Sequence, residues 1–395
     1  MKIKQKLQQI WASPDNRIIL LALLIYLPFI FLGYGSDFDS YNVLWAGRNY
    51  VETLDYVPSR VPGFVVYEAL VLALDTLGGS VLTNLLSLFM SLAILWVFMR
   101  VCRMHEIPHY HLLTLILMVH PFFWVNSTCT MDYLIAMGFA FIGFYQLLKG
   151  RYTAAGILMA LGIGSRLTTL IYVGIILLWF FITRPGERQG AVRTGLITIF
   201  LGLLFYVPPA DFSEWDTRFL QPSVATQEYW TLPLRVGRFV YKNLFYFWNP
   251  LAFAILIWGA ARLLRNFKQE QKKARFSLLI AGAVAILGVE LFYFRLPTEP
   301  AYLLPTVPFW LMLLGAAFEN KRGVLMILLA AMLAFNFVSV NIAQPDEKNY
   351  ATGADYGLWV EPGHLVNDSR VRLEYLACGN QPCIDLEKAG QEEFE

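Results

Sequence analysis

The chain has 395 residues, 57% of them hydrophobic, 15% aromatic and only 15% charged, with a net charge of +2. A soluble protein carries about 25% charged residues. That deficit, with apolar runs as long as Arg17–Tyr34, Leu82–Met99 and Val324–Val340, excludes a soluble enzyme, a disordered chain and a secreted disulfide scaffold. The runs are continuous rather than alternating, which argues against a β-barrel, and so few charges leave no basic footprint for a nucleic acid.

In chain order, hydropathy predicts eleven membrane spans: 17–35, 80–100, 111–126, 132–148, 152–165, 167–183, 191–208, 239–261, 276–294, 301–318 and 323–343. Residues 62–77 are apolar but carry Glu68 and Asp75, so they are expected to lie at the interface. With the N-terminus and its Lys2, Lys4 and Lys6 in the cytoplasm, the cytoplasmic segments and their flanks hold 19 of the 31 Lys and Arg but 5 of the 29 Asp and Glu. The block Arg262–Arg275 contributes most to that bias. The positive-inside rule therefore favours N-terminus in and C-terminus out. The expected fold is an all-α polytopic membrane protein of about eleven transmembrane helices, spanning 1–343. Its outer loops are 36–79 and 209–238, and residues 344–395 form a short extracytoplasmic tail. Cys378 and Cys383 are spaced for a disulfide if that tail meets an oxidising compartment, and otherwise are free thiols.

The residues suited to chemistry gather on the outer face. The first span ends in Gly35-Ser36-Asp37-Phe38-Asp39-Ser40-Tyr41. Two carboxylates there can deprotonate a hydroxyl or amine nucleophile, bind a divalent cation through oxygen ligands, or simply end a helix at the interface. Arg60 follows in Val57-Pro58-Ser59-Arg60-Val61-Pro62-Gly63, at headgroup depth, where a guanidinium either grips a phosphate or snorkels to water. Asp132 opens the span 132–148, where a carboxylate ordinarily caps the helix. Arg166, in Gly162-Ile163-Gly164-Ser165-Arg166-Leu167-Thr168, has no acidic neighbour in sequence and needs an anionic partner. Arg295 and Glu299 lie just before Pro300-Ala301-Tyr302-Leu303-Leu304-Pro305 and can pair with each other. No Gly-rich phosphate loop, H-E-x-x-H or G-x-S-x-G pattern is present, which disfavours nucleotide-dependent and metalloprotease chemistry. Three arginines and several carboxylates on one face suit a substrate with an anionic phosphate headgroup and a lipid tail.

In order and character these segments resemble the GT-C superfamily of integral-membrane glycosyltransferases. The similarity is greatest to the protein O-mannosyltransferase and aminoarabinose-transferase-like branch. The matching segments are Asp37-Phe38-Asp39, Pro58–Gly79, Ser127–Asp132, Gly162–Thr168 and Ala301–Pro308. Two departures stand out. The acidic pair is Asp-x-Asp rather than Asp-Glu, and Ala301 stands where the late motif carries Arg, a charge that Arg295 is positioned to supply.

The resemblance implies transfer of a sugar, with inversion, from a polyprenyl-phosphate donor to a glycan, lipid or protein acceptor on the extracytoplasmic face, in a bacterial inner membrane. Asp39 is the expected base, with Asp37 beside it binding an Arg or a cation. Arg60, Arg166 and Arg295 are expected to hold the donor phosphate, and Asp132, Glu299 and Tyr302 to contact substrate. No cofactor is expected, a divalent metal at Asp37 and Asp39 being the alternative. The competing functions are a transporter or lipid flippase, which would place charges along both halves of a path through the midplane, and a non-catalytic scaffold for polysaccharide assembly.

Overall fold

The computed structural model describes residues 13–213, 231–295, 297–343 and 356–382. The chain enters through α1 (Pro14–Tyr26), whose proline sits in the first turn, where a missing N–H breaks no bond. A 3-10 turn, Leu27–Phe31, continues it. The first outer loop then holds α2 (Asp39–Thr53), a helix beyond the single interfacial one expected there. In α3 (Val65–Met104) the backbone leaves helical geometry at Gly78 and at Gly79, which has φ +59°. That kink separates the interfacial helix, as expected, from the span that follows. Glycine tolerates such a break because it has no Cβ to clash.

Next come α4 (Tyr110–Val119), α5 (Pro121–Asn126), α6 (Asp132–Leu148), α7 (Tyr152–Ser165), α8 (Thr169–Thr183), α9 (Arg188–Leu204) and α10 (Val207–Phe212). The predicted span 111–126 is thus broken at His120-Pro121, where proline can start a helix but not continue one. After 231, α11 (Leu232–Tyr241) runs into a π-helical turn, Lys242–Phe247, and meets α12 (Pro250–Arg265) at 105°. The bend is built by Pro250 at the start of α12 and by Asn249, whose side chain accepts from the Ala252 N–H at 2.9 Å. The remaining helices are α13 (Phe267–Glu270), α14 (Phe276–Arg295), a 3-10 turn Pro300–Thr306, α15 (Val307–Ala317) and α16 (Arg322–Phe335).

Among the described residues, five helical segments can cross a membrane by length and composition, six if the bent pair counts as one, and five further apolar helices have 10–17 residues. Each of the eleven predicted segments overlaps one of these. The last differs at its end. Helix α16 stops at Phe335, and β1 (Val338–Ala343) pairs antiparallel with β2 (Tyr356–Pro362), Val340 opposite Val360. Asn336 turns the chain by donating to the Val119 and Met332 carbonyls at 2.7 and 2.9 Å, and the β-branched run after it prefers an extended backbone. Helix α17 (His364–Ala377) closes the described chain. The tail therefore contributes a strand and a helix that pack on the bundle.

Close helix contacts use small residues, as membrane bundles do where lipid gives no hydrophobic drive. A Cβ on Gly162 would lie 2.9 Å from the Ala136 carbonyl, and one on Gly156 2.9 Å from the Thr194 carbonyl. Thr194 and Thr198 donate across the α7–α9 contact to the Tyr152 and Gly156 carbonyls at 3.0 and 3.3 Å. Charges collect at the two ends. At one, Asp15 pairs with Arg103 at 2.7 Å and with His111 at 2.9 Å, and Glu270, Lys273, Arg275 and Glu319 form a second cluster. The other end carries the site.

Candidate active site

Asp132 is the centre of the site. It is fully buried at the start of α6 and caps nothing: one oxygen accepts from Arg60 at 3.0 Å and the other pairs with Arg166. A buried carboxylate is stable as an ion only when so paired. Arg166 sits where α7 gives way to α8, 5% exposed, its guanidinium over the rings of Tyr133 at 4.0 Å and Tyr302 at 4.4 Å. Arg60 packs over Phe64 at 4.6 Å and also pairs with Asp39. Its Nε is buried and has no partner among the described residues.

The loop that carries Arg60 is held from below by Glu68, one turn into the interfacial helix. Glu68 accepts from the Tyr56 hydroxyl at 2.6 Å, the Ser59 N–H at 2.8 Å and the Ser59 hydroxyl at 2.5 Å. In the sequence, Glu68 marks residues 62–77 as interfacial and does not disclose this anchoring role. Its acidity inside an apolar run was the available signal.

Asp37 and Asp39 are placed differently. Asp39, 29% exposed, is tied to Arg60 and accepts from Asn42 at 3.4 Å. Asp37 accepts the Asp39 N–H at 2.8 Å through one oxygen, and its other oxygen has no partner among the described residues. Burial, then the neighbouring Asp39 carboxylate, raise its pKa above the usual carboxylate range. It lines a cavity of about 190 Å³ with Ser40, Asn126, Tyr133, Glu299 and His364. Burial and the charge of Asp37 push Glu299 up to about 7, while one of its oxygens caps the 3-10 turn at the Ala301 N–H, 3.1 Å away. Ser40 Oγ is buried and unpartnered on the cavity wall.

The structure thus brings together Asp37, Asp39, Arg60, Asp132, Arg166, Glu299 and Tyr302. Arg295 is not among them: it ends α14 exposed, and Glu299 does not pair with it. Asp132, expected to touch substrate, is enclosed by the two arginines. Among the described residues no three metal-ligating side chains converge.

The tail helix forms one wall of the cavity, a role the sequence did not disclose. Arg372 is fully buried and donates to the Phe29, Gly33 and Thr128 carbonyls at 2.9, 3.1 and 2.8 Å, and pairs with Asp368 at 3.3 Å. Asp368 also accepts from Ser36 at 2.6 Å, next to Asp37. Cys378 is disulfide-bonded, whereas Cys102 and Cys129 are free and buried; the expected partner Cys383 lies outside the described residues.

The helices form an all-α polytopic membrane protein whose fold is similar to that of solved membrane-protein structures. Its solved structural neighbours include ArnT from Cupriavidus metallidurans bound to undecaprenyl phosphate, with a TM-score of 0.59 at 14% identity over 81% of this chain. The same protein in its apo state gives a TM-score of 0.54 at 14% identity over 78%. The chain spans 63% and 61% of those two chains. No family model and no curated protein sequence matches it.

Proposed function

We propose that the chain is an inverting membrane glycosyltransferase that takes a sugar from a polyprenyl-phosphate donor and passes it to a hydroxyl or amine acceptor. The observation that carries this reading is the pairing pattern of the two aspartates. Asp39 is neutralised by Arg60, whereas Asp37 faces the cavity with a free oxygen and a raised proton affinity. A base must be within reach of the acceptor and not already engaged by a cation. Asp37 therefore replaces Asp39 as the assigned base.

In the proposed reaction, Asp37 takes the acceptor's proton as the acceptor attacks the anomeric carbon from the face opposite the phosphate. The bond from that carbon to the phosphate oxygen breaks, and polyprenyl phosphate leaves with the electron pair. Arg60 Nε, buried and unpartnered, is available to donate to the departing phosphate. Asp132 and Asp39 hold the guanidinium groups in place. The fold shared with a protein that binds undecaprenyl phosphate supports a donor of this class. The eleven-span topology, with this end outside the cytoplasmic membrane of a bacterium, completes the reading. A glycan, lipid or protein acceptor would reach the cavity from water.

The test is transfer activity of Asp37→Asn beside Asp39→Asn, with donor affinity measured separately. Losing a general base lowers turnover about 10²–10⁴-fold. Asp37→Asn should do so with donor affinity nearly unchanged, and Asp39→Asn should lose less turnover. The reverse ranking would return the role to Asp39, and near-normal turnover in both would reject the reaction.

A further inference from the structure

Charge balance at the site leaves a gap. Arg60 and Arg166 are matched by Asp39 and Asp132, so together the four groups carry no net charge. Asp37 and Glu299 on the cavity wall add only acidity. Arg295, the third expected cation, is exposed at the end of α14. A donor phosphate entering here would meet hydrogen-bond donors but no uncompensated positive charge, and a phosphate in a low-dielectric site needs one.

Lys242 supplies it. Only 8% exposed, it has no hydrogen bond or ion pair with any described residue; its ammonium lies 4.1 Å from the centre of the Tyr246 ring. A buried lysine that no carboxylate contacts directly is rare unless something else adds to the counter-charge. Its place in the fold points the same way. It opens the π-helical turn 242–247, an irregularity that often marks function. That turn packs on the 3-10 turn 300–306, which carries Tyr302 against Arg166 and begins beside Glu299. Lys242 also acts electrostatically on both Glu299 and His364, two residues that line the cavity.

We infer that Lys242 is the cation that binds the phosphate of the lipid donor. The inference rests on the donor reading above and assigns the residue on which it depends. A protonated amine is a point charge with three donors, suited to a phosphate whose charge grows from one to two as the sugar leaves. The sequence contained a signal for it: Lys242 is the lone charge in the apolar run Phe239–Pro250, the same pattern that singled out Arg166.

The experiment compares binding of a long-chain polyprenyl phosphate and of the matching polyprenol, the neutral alcohol, to purified protein in nanodiscs. Wild type should prefer the phosphate. Lys242→Met should lose that preference by roughly 10- to 100-fold, the range of one charge-assisted contact, with polyprenol affinity unchanged. Lys242→Arg should keep most of it. Retention of the full preference in Lys242→Met overturns the inference and leaves the donor reading standing. Absence of any preference in wild type rejects the donor reading itself. If Lys242→Met loses polyprenol binding in parallel and Lys242→Arg does not restore it, the lysine is structural and the inference fails.

Discussion

Replacing Asp132 with asparagine tests whether one buried carboxylate holds the site together. Asn keeps the volume and one acceptor but removes the charge. Arg166, 5% exposed, then has no anionic partner among the described residues, only the ring faces of Tyr133 and Tyr302. Those faces return about 0.5–2 kcal/mol each. Breaking a buried ion pair by removing one partner costs about 3–5 kcal/mol, because the remaining charge stays desolvated. Arg60 is affected less, since Asp39 remains beside it. Asp132→Asn should therefore destabilise the protein by about 3–5 kcal/mol. Asp39→Asn, removing a partner that is 29% exposed and screened by water, should cost about 0–1 kcal/mol. The double variant Asp132→Leu, Arg166→Met should recover much of the loss, because it buries neither charge alone. Unfolding free energy in mild detergent titrated with a denaturing one reads all three. A cost below about 1 kcal/mol for Asp132→Asn, or equal costs at positions 132 and 39, would refute a desolvated network centred on Asp132.

Glu299 predicts how donor binding depends on pH. With its carboxyl raised to about 7 in the folded protein, it is largely neutral below that pH and negative above it, so affinity for a phosphodiester donor should fall as pH rises through about 7. Glu299→Gln should flatten the slope, and an unchanged slope would place the titrating group elsewhere. The same shift lends the native state stability that is full below the ordinary value of 4.5, falls as pH rises and is gone above about 7, because the folded carboxyl binds its proton more tightly than the unfolded one. Arg372→Met should release the tail helix: it removes contacts to four carbonyls and takes from Asp368 its cationic partner, at a cost of about 2–4 kcal/mol. Limited proteolysis after residue 363 reads it, and protection equal to wild type would mean that the helix is held by its apolar face alone.

The apolar helical segments, and several of the charged residues that the structure brings together, were legible because a bilayer makes both conspicuous. Eleven apolar runs overlap eleven helical segments among the described residues, and Arg166 stood out as a charge with no local partner, whereas Asp132 read as a helix cap. Their pairing with each other was not legible, since it joins residues 34 apart across the α6–α7 packing. For a related reason the sequence did not disclose that Arg60, 21 residues after Asp39, folds back and pairs with it. Arg372 was hidden by its setting: in Arg370-Val371-Arg372-Leu373-Glu374 it reads as one of several solvent-facing charges. Only the packing of α17 on Phe29–Gly33 and Thr128 distinguishes it.

These contacts share a geometry. Glu68 anchors the Arg60 loop to the interfacial helix, Asp132 joins that loop to the α7–α8 junction, and Arg372 fixes the tail to the end of the first span. Each tie is polar and buried or partly buried, and those of Asp132 and Arg372 link segments far apart in sequence. Apolar packing cannot do this work at the end of a bundle, because the loops there have little apolar surface to bury and lipid offers no alternative partner for their polar groups. The consequence is a cavity whose walls come from the first outer loop, the α5–α6 junction, the Glu299 turn and the tail helix, with its free carboxylate, Asp37, set among groups already committed to one another. A reacting group is most effective where its surroundings are fixed beforehand. In this chain the ion pairs around Arg60 and Arg166 provide that fixity and cancel their own charge. On the proposed function, a cation that meets the donor phosphate would therefore come from outside them.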